Sequence, residues 1–130
     1  MKQLFIGGMD GISDEEVRAH IASEWGADAG EEVAEYEILI ALRAADEIGK
    51  DPREFYFLRN KKDGKFSTVY GSFCPVMGFD NQFDPHEVTI EKLMSDEIII
   101  ARWCCGDTRC TYSMEMINFI AELGGKNESE

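Results

Sequence analysis

The sequence has 130 residues, of which 44% are hydrophobic, enough for one compact domain with a substantial core but too few for two. Thirteen basic and twenty-six acidic residues give a net charge of -13 and a pI near 4.5. A field of this sign repels phosphate backbones and anionic membrane surfaces, which argues against direct binding to nucleic acid or membrane. We expect one domain over residues 1–125 and a disordered tail over 126–130.

The charge is unevenly distributed along the chain. Residues 10–47 contain twelve acidic and two basic residues, whereas residues 50–65 contain six basic and three acidic residues. This pattern predicts an acidic surface and a separate basic corner.

A strand over residues 2–6 and a helix over 14–25 are predicted at the start of the chain. Gly7 and Gly8 after the strand permit a sharp turn. Ser13 and Glu16 have the spacing of a capping box, which favours a helix beginning at residue 14.

The same segment carries a pattern shared with a known family. Residues 2–9 read Lys-Gln-Leu-Phe-Ile-Gly-Gly-Met, and residues 13–21 read Ser-Asp-Glu-Glu-Val-Arg-Ala-His-Ile. Together with Trp25-Gly26, they resemble the first strand and first helix of an RNA recognition motif. The resemblance implies a strand-turn-helix and a base-stacking role for Phe5. The basic Gly-aromatic strand of that family does not follow, because residues 31–48 are acidic instead.

A long second helix is predicted over residues 31–48. Val33, Tyr36 and Ile40 keep helical spacing, and Gly49 provides a stop. We expect an acidic exposed face on this helix. Its outward acidic side chains include Glu31, Glu32 and Glu35.

A hairpin over residues 54–71 follows from two aromatic and β-branched runs that flank a polar loop. Gly64 in that loop suits a left-handed position, and the lysines around it predict a basic tip. Exposed lysines at such a tip also discourage edge-to-edge pairing of sheets.

In the second half, Pro, Gly and Asn predict a loop over residues 74–83 that keeps several apolar side chains. A helix is predicted over 85–94, with a strand at 88–90 as the alternative. The β-branched run predicts a central strand over 96–104, and helical spacing predicts a last helix over 113–123. The expected fold is a single α+β domain with a mainly antiparallel sheet of about four strands, packed against three to four helices.

The cysteines are candidate zinc ligands. Three of the four cysteines lie within seven residues of one another, and the fourth is in the predicted loop. They are Cys74, Cys104, Cys105 and Cys110. His20 or His86 could replace one ligand. Inert buried thiols and a redox or nucleophilic thiol are the alternatives. The opening residues lack the pattern of a signal peptide, so we expect reduced thiols and a cytoplasmic location.

A second candidate site follows the predicted central strand. Arg102, Thr108 and Arg109 offer two guanidinium groups and a hydroxyl, which suit an anionic ligand or nucleotide. The alternative is a local ion pair between Asp107 and Arg109. No nucleophile-base arrangement or phosphate-binding glycine loop is recognisable, which disfavours an enzyme.

The charge map favours a small, non-catalytic interaction protein that docks a carboxylate-rich face on a basic, nucleic-acid-handling partner. Inhibitors carried by phages and mobile elements, and immunity proteins against nuclease toxins, are similar in size and charge. The candidate contact residues are Asp28, Glu31, Glu32, Glu35, Val76, Phe79 and Phe83. Binding of a small anionic ligand and a metal or thiol site are the two alternatives, and self-association is left open.

Overall fold

The computed structural model describes residues 3–44, 53–95 and 115–123. The strands are β1 (Leu4–Gly7), β2 (Tyr36–Ala44), β3 (Arg53–Asn60), β4 (Phe66–Ser72) and β5 (His86–Val88). The helices are α1 (Asp14–Glu24), α2 (Ala27–Val33), α3 (Ile90–Ser95) and α4 (residues 115–123). None of the helices in these ranges has the length and apolarity to cross a membrane.

The five strands form one sheet in the order β1-β2-β3-β4-β5. β1 pairs with β2 in parallel, and each later pair is antiparallel. The parallel pair is possible because α1 and α2 carry the chain back between its two strands. The predicted α+β domain is confirmed, although the described sheet is mixed and has five strands rather than four.

Both faces of the sheet are covered. On one face, α1, α2 and the β4–β5 loop (residues 73–85) pack around Val17, Ile21, Trp25 and Tyr56. On the other face, α3 and α4 pack around Phe55 and Phe57, with Leu93, Met116 and Ile120. β3 is therefore buried on both sides, which is unusual for a predominantly antiparallel sheet.

The helix predicted over residues 31–48 is wrong over residues 36–44, which form a strand, and residues 45–48 lie outside the described part of the chain. Helix α2 ends at Val33, residues 34 and 35 form a turn, and β2 begins at Tyr36 and pairs with both β1 and β3. Residues 38–42 are all buried because both faces of β2 are covered, so the strand reads as a continuous apolar run. A register shift between Ile38 and Ile40 places Leu39 and Ile40 in the same core cluster. Because every position in this run is apolar, the run also contains apolar residues at helical spacing, which explains the incorrect helix prediction.

The predicted opening strand, turn and first helix are confirmed. The Ser13 hydroxyl accepts a hydrogen bond from the Glu16 backbone N–H at 3.1 Å, and the Glu16 carboxylate accepts one from Ser13 at 3.3 Å. These two bonds complete the capping box of α1. Phe5 is half-buried and packs against the core cluster under α1.

The predicted hairpin is also confirmed, with β3 and β4 paired from Arg53 to Arg59 and Gly64 at a φ of +73°. The lysines of its tip are exposed. The Lys61 backbone N–H donates to the Glu35 carbonyl at 3.0 Å, so the basic tip adjoins the chain that leaves α2. The acidic and basic segments are therefore neighbours on this side of the molecule.

In the second half, the helix predicted over 85–94 is correct only in part. Residues 86–88 form β5, and α3 begins at Ile90. The last helix is confirmed over residues 115–123. The predicted strand over 96–104 and the tail over 126–130 lie outside the described residues.

Gly30 tests the packing of α2 on α1. A Cβ at Gly30 would lie 2.6 Å from the Ala22 Cβ. Overpacking of this kind lowers the free energy of unfolding by about 1–3 kcal/mol, whereas the higher helix propensity of Ala raises it by about 1 kcal/mol. We expect Gly30→Ala to lower the free energy of unfolding in urea, and Ala22→Gly in the same chain to relieve the clash. Strictly additive effects of the two substitutions would contradict this close packing.

Candidate functional site

A groove of about 430 Å³ opens between the start of α2 and the β4–β5 loop. Its described lining consists of Trp25, Gly26, Ala27, Asp28, Ala29, Glu32, Asp80, Asn81 and Phe83. The groove therefore joins two segments that are distant in the sequence, and it combines aromatic and small apolar side chains with carboxylates.

The rim of the groove is acidic. Asp28, Glu32 and Asp80 are all exposed, and none of the described lining residues is Lys or Arg. Burial raises the pKa of Glu32 above its ordinary value, and repulsion by Asp84 and Glu35 raises it further. The described lining of the groove therefore contains no cationic side chain to offset this negative charge.

Trp25 forms the inner wall of the groove. It is 2% exposed and stacks on Phe79, with ring centroids 4.8 Å apart and planes at 11°. Phe83 and Tyr56 meet the indole edge-on, at centroid distances of 5.9 Å and 5.7 Å. Such contacts between rings fix the position of the indole more tightly than burial alone.

The β4–β5 loop contains a tight turn with an apolar tip. Cys74 and Gly78 exchange two backbone hydrogen bonds, at 2.9 Å and 2.6 Å. Between them, Val76 is 91% exposed and Met77 is 50% exposed. The turn therefore presents apolar side chains to solvent beside the acidic groove.

The loop is anchored to the end of β4 by an amide clamp. The Gln82 side chain accepts a hydrogen bond from the Ser72 backbone N–H at 3.0 Å and donates to the Ser72 carbonyl at 2.9 Å. It also donates to the Gly78 carbonyl at 3.1 Å. One side chain thus ties the loop to the sheet and to its own turn.

Most of the predicted contact residues lie on this side of the molecule. Asp28 and Glu32 line the groove, and Glu31 and Glu35 are exposed near it in the chain. Val76 lies at the exposed tip, and Phe83 lines the groove. Phe79 is 1% exposed because it stacks on Trp25, so it supports the surface from within and is not itself available to a partner. The sequence did not identify Asp80, which only the fold brings to the rim.

Behind the groove lies a buried carboxylate, Glu54, which is 0% exposed. Its Oε1 atom accepts hydrogen bonds from Trp25 Nε1 at 2.8 Å and from the Tyr56 hydroxyl. Its Oε2 atom accepts one from Arg43 Nη1 and lies 2.7 Å from His20 Nε2. Each oxygen therefore has two polar partners, as a buried charge requires.

The partners of Glu54 determine its ionisation. Burial raises the pKa of Glu54, but hydrogen bonds from His20, Tyr56 and Trp25, and the attraction of His20, outweigh that effect. The pKa of Glu54 therefore lies below its ordinary value, and the group is a carboxylate at neutral pH. Burial and the neighbouring Glu54 charge raise the pKa of Tyr56, which stays protonated as a donor.

Sequence reasoning missed this network. Arg43 and Glu54 face each other in the register of β2 and β3, and Glu54 and Tyr56 share one face of β3. The available signal was one acidic residue at the start of an aromatic run in a predicted strand. The sequence suggests His20 only as a possible zinc ligand, whereas in the structure its Nε2 atom lies 2.7 Å from Glu54 Oε2.

The other candidate sites fall mainly outside the described residues. These are Arg102, Thr108 and Arg109, and the cysteines Cys104, Cys105 and Cys110. Cys74 is half-buried, and the backbone N–H groups of Met77 and Val76 lower the pKa of its thiol. Over the parts of the chain that the structure describes, no group of three or more His, Cys, Asp or Glu side chains is arranged to hold a metal ion.

Glu54→Gln removes the buried charge and leaves one acceptor oxygen in place of two. We expect this change to lower the free energy of unfolding at pH 7 by about 3 kcal/mol, because several donors lose a charged acceptor. The folded-state pKa of Glu54 lies below 4.5, so its stabilisation is complete above that pH and is lost as the pH falls through the folded-state value. The difference between the two proteins in urea unfolding should therefore shrink in acid.

Glu37→Gln is the control for this measurement. Glu37 forms a partly exposed ion pair with Arg59, so we expect a cost of about 0.5 kcal/mol. A stability difference for Glu54→Gln that stays constant or grows between pH 7 and pH 3 would contradict an ionised Glu54.

No family model, curated protein or solved structure matches this chain. The groove, its acidic rim and the network behind it are therefore the basis of the function proposed below.

Proposed function

We propose that this protein is a small, acidic, non-catalytic interaction protein that docks its carboxylate-rich surface on a basic surface of another protein. The proposed partners handle nucleic acid, and the acidic surface occupies their basic grooves in place of phosphates, as in inhibitors that phages carry against host defences. The proposed compartment is the cytoplasm. The observation that carries the proposal is the groove with three carboxylates on its rim and an aromatic inner wall.

The electrostatics of the rim support a cationic partner. Partial burial raises the pKa of Glu32, and repulsion by Asp84 and Glu35 raises it further. Carboxylates held together in this way oppose folding, and a cation placed among them relieves the repulsion. A binding surface commonly costs a protein some stability in this manner.

The shape and chemistry of the groove favour arginine as the partner side chain. A guanidinium group is planar, donates two parallel hydrogen bonds to a carboxylate, and stacks on aromatic rings. The groove offers Asp28, Glu32 and Asp80 as acceptors, and Phe83 as a half-buried ring beside them. An arginine that enters it can meet both kinds of contact at once.

Exposed acidic and apolar side chains outside the groove could attract a basic partner and then hold it. Glu31 and Glu35 are exposed and extend the acidic field, which accelerates encounter with a basic surface. Val76 and Met77 project from the tight turn, and apolar side chains of this kind supply much of the binding energy when a partner buries them.

A nona-arginine peptide serves as a defined probe of the groove. We expect it to bind the native protein at low ionic strength, with an affinity that falls as salt is added. The triple variant Asp28→Asn/Glu32→Gln/Asp80→Asn should weaken binding by about tenfold or more, because it removes the acceptors on the rim. Isothermal titration calorimetry or fluorescence anisotropy of a labelled peptide measures both effects.

A second triple variant, Glu15→Gln/Glu91→Gln/Glu115→Gln, is matched in net charge. All three residues are exposed, and none lines the groove. We expect this control to change the affinity by less than about threefold when both variants are compared at about 0.15 M salt, where exposed charges outside the groove are largely screened. Equal weakening by both triple variants would show that net charge alone determines the affinity and would contradict binding in the groove. Absence of binding to the native protein would refute the proposal.

Glu32→Gln separates function from stability. Because the folded-state pKa of Glu32 is raised above 4.5, the ionised group opposes folding at neutral pH. We expect the variant to be as stable as the native protein or slightly more stable in thermal unfolding, and to bind the peptide more weakly. Peptide binding by the native protein should also weaken as the pH falls through the raised pKa. A Glu32→Gln protein with lower stability and unchanged affinity would contradict this assignment.

A further inference from the structure

Trp25 is part of both the groove and the hydrogen-bond network of Glu54. Its ring lines the groove and stacks on Phe79 of the β4–β5 loop, which also carries Asp80. Its Nε1 atom donates a buried hydrogen bond to Glu54 Oε1 at 2.8 Å. The indole is therefore the physical link between the buried carboxylate and the acidic rim.

The sheet holds the opposite end of the same indole. A Cβ at Gly71 would lie 2.4 Å from Cη2 of Trp25, so the ring rests directly on the backbone of β4. Gly71 and Glu54 are partners in the register of β4 and β3. Adjacent strands thus fix the indole at both ends, one through close packing and the other through a hydrogen bond.

We infer that Glu54 is a positioning residue for the groove: its carboxylate fixes the Trp25 indole and, through Phe79, the loop that carries Asp80. This inference rests on the proposed function, since it concerns the geometry of the same docking surface. Its action is indirect, because Glu54 is fully buried and cannot contact a partner.

The chemistry of the network explains the use of a carboxylate at this position. The same atom that accepts from Trp25 also accepts from Tyr56, while the second oxygen faces Arg43 and His20. A carboxamide has only one oxygen. Its amino group would therefore face other hydrogen-bond donors, either Trp25 and Tyr56 or Arg43. Only the ionised acid satisfies both sides.

The test removes the Trp25 donor without changing the shape of the ring. Trp25 and Trp103 are the two tryptophans of the chain. In a Trp103→Phe background, biosynthetic incorporation of benzothienylalanine replaces the Trp25 indole N–H with sulfur. We expect nona-arginine binding to weaken by about fivefold or more relative to the Trp103→Phe parent, as loss of preorganisation reduces affinity. Hydrogen exchange of the Gly78 and Asp80 amides in the loop should accelerate by a similar factor.

Tyr56→Phe in the same background is the matched control. It removes another donor to the same Glu54 oxygen but leaves the Trp25 bond in place. We expect it to lower the melting temperature while peptide affinity and loop exchange stay within about twofold of the parent. If Tyr56→Phe weakens binding as much as the analogue does, Glu54 acts only through general stability and the inference fails.

The inference also fails if the analogue leaves both peptide affinity and loop exchange unchanged. Failure of the proposed function looks different, because the Trp103→Phe parent and the native protein would then not bind the peptide at all. In that case loop exchange still decides the positioning role of Glu54: faster exchange in the analogue alone supports it, and equal exchange overturns it.

Discussion

A carboxylate with no exposure to solvent needs polar partners for both of its oxygens, and Glu54 obtains them from three elements. His20 lies on α1, and Trp25 directly follows the last residue of that helix. Arg43 lies on β2, and Tyr56 lies on β3 with Glu54. The packing of α1 on the sheet must satisfy all of these contacts together. A shift of the helix would leave a buried charge short of partners, which costs far more than a lost apolar contact.

The groove and the network place negative charge in two contrasting environments. Inside, donors surround Glu54 and its pKa is lowered. At the rim, partial burial and then repulsion by Asp84 and Glu35 raise the pKa of Glu32. The inner charge is satisfied by the protein and stabilises the fold, whereas the outer charge is the one that the proposed cationic partner would neutralise. Trp25, between the two, connects the stable part of the structure to the proposed docking surface.

The parts of the fold that depend on residues close together in the sequence were predictable. The Ser13–Glu16 capping box and the Gly64 hairpin are local patterns, and both occur as expected. The helix prediction failed over residues 36–44 because a strand covered on both faces loses its alternation of polar and apolar residues and resembles any apolar run. The acidic residues of α2 were predicted as a contact surface, but Asp80 and Glu54 join the site through pairings across the sheet and loop that no spacing in the sequence reveals.

The central claim is that a cationic partner binds in the groove, on a platform held by Glu54. An NMR titration with the nona-arginine peptide, followed through the Trp25 indole N–H signal, tests it most directly. We expect this signal to shift together with the backbone amides of Asp28 and Asp80, and all three signals to saturate at the same peptide concentration. Shifts spread over exposed acids such as Glu15 and Glu91, with the Trp25 signal unmoved, would contradict it.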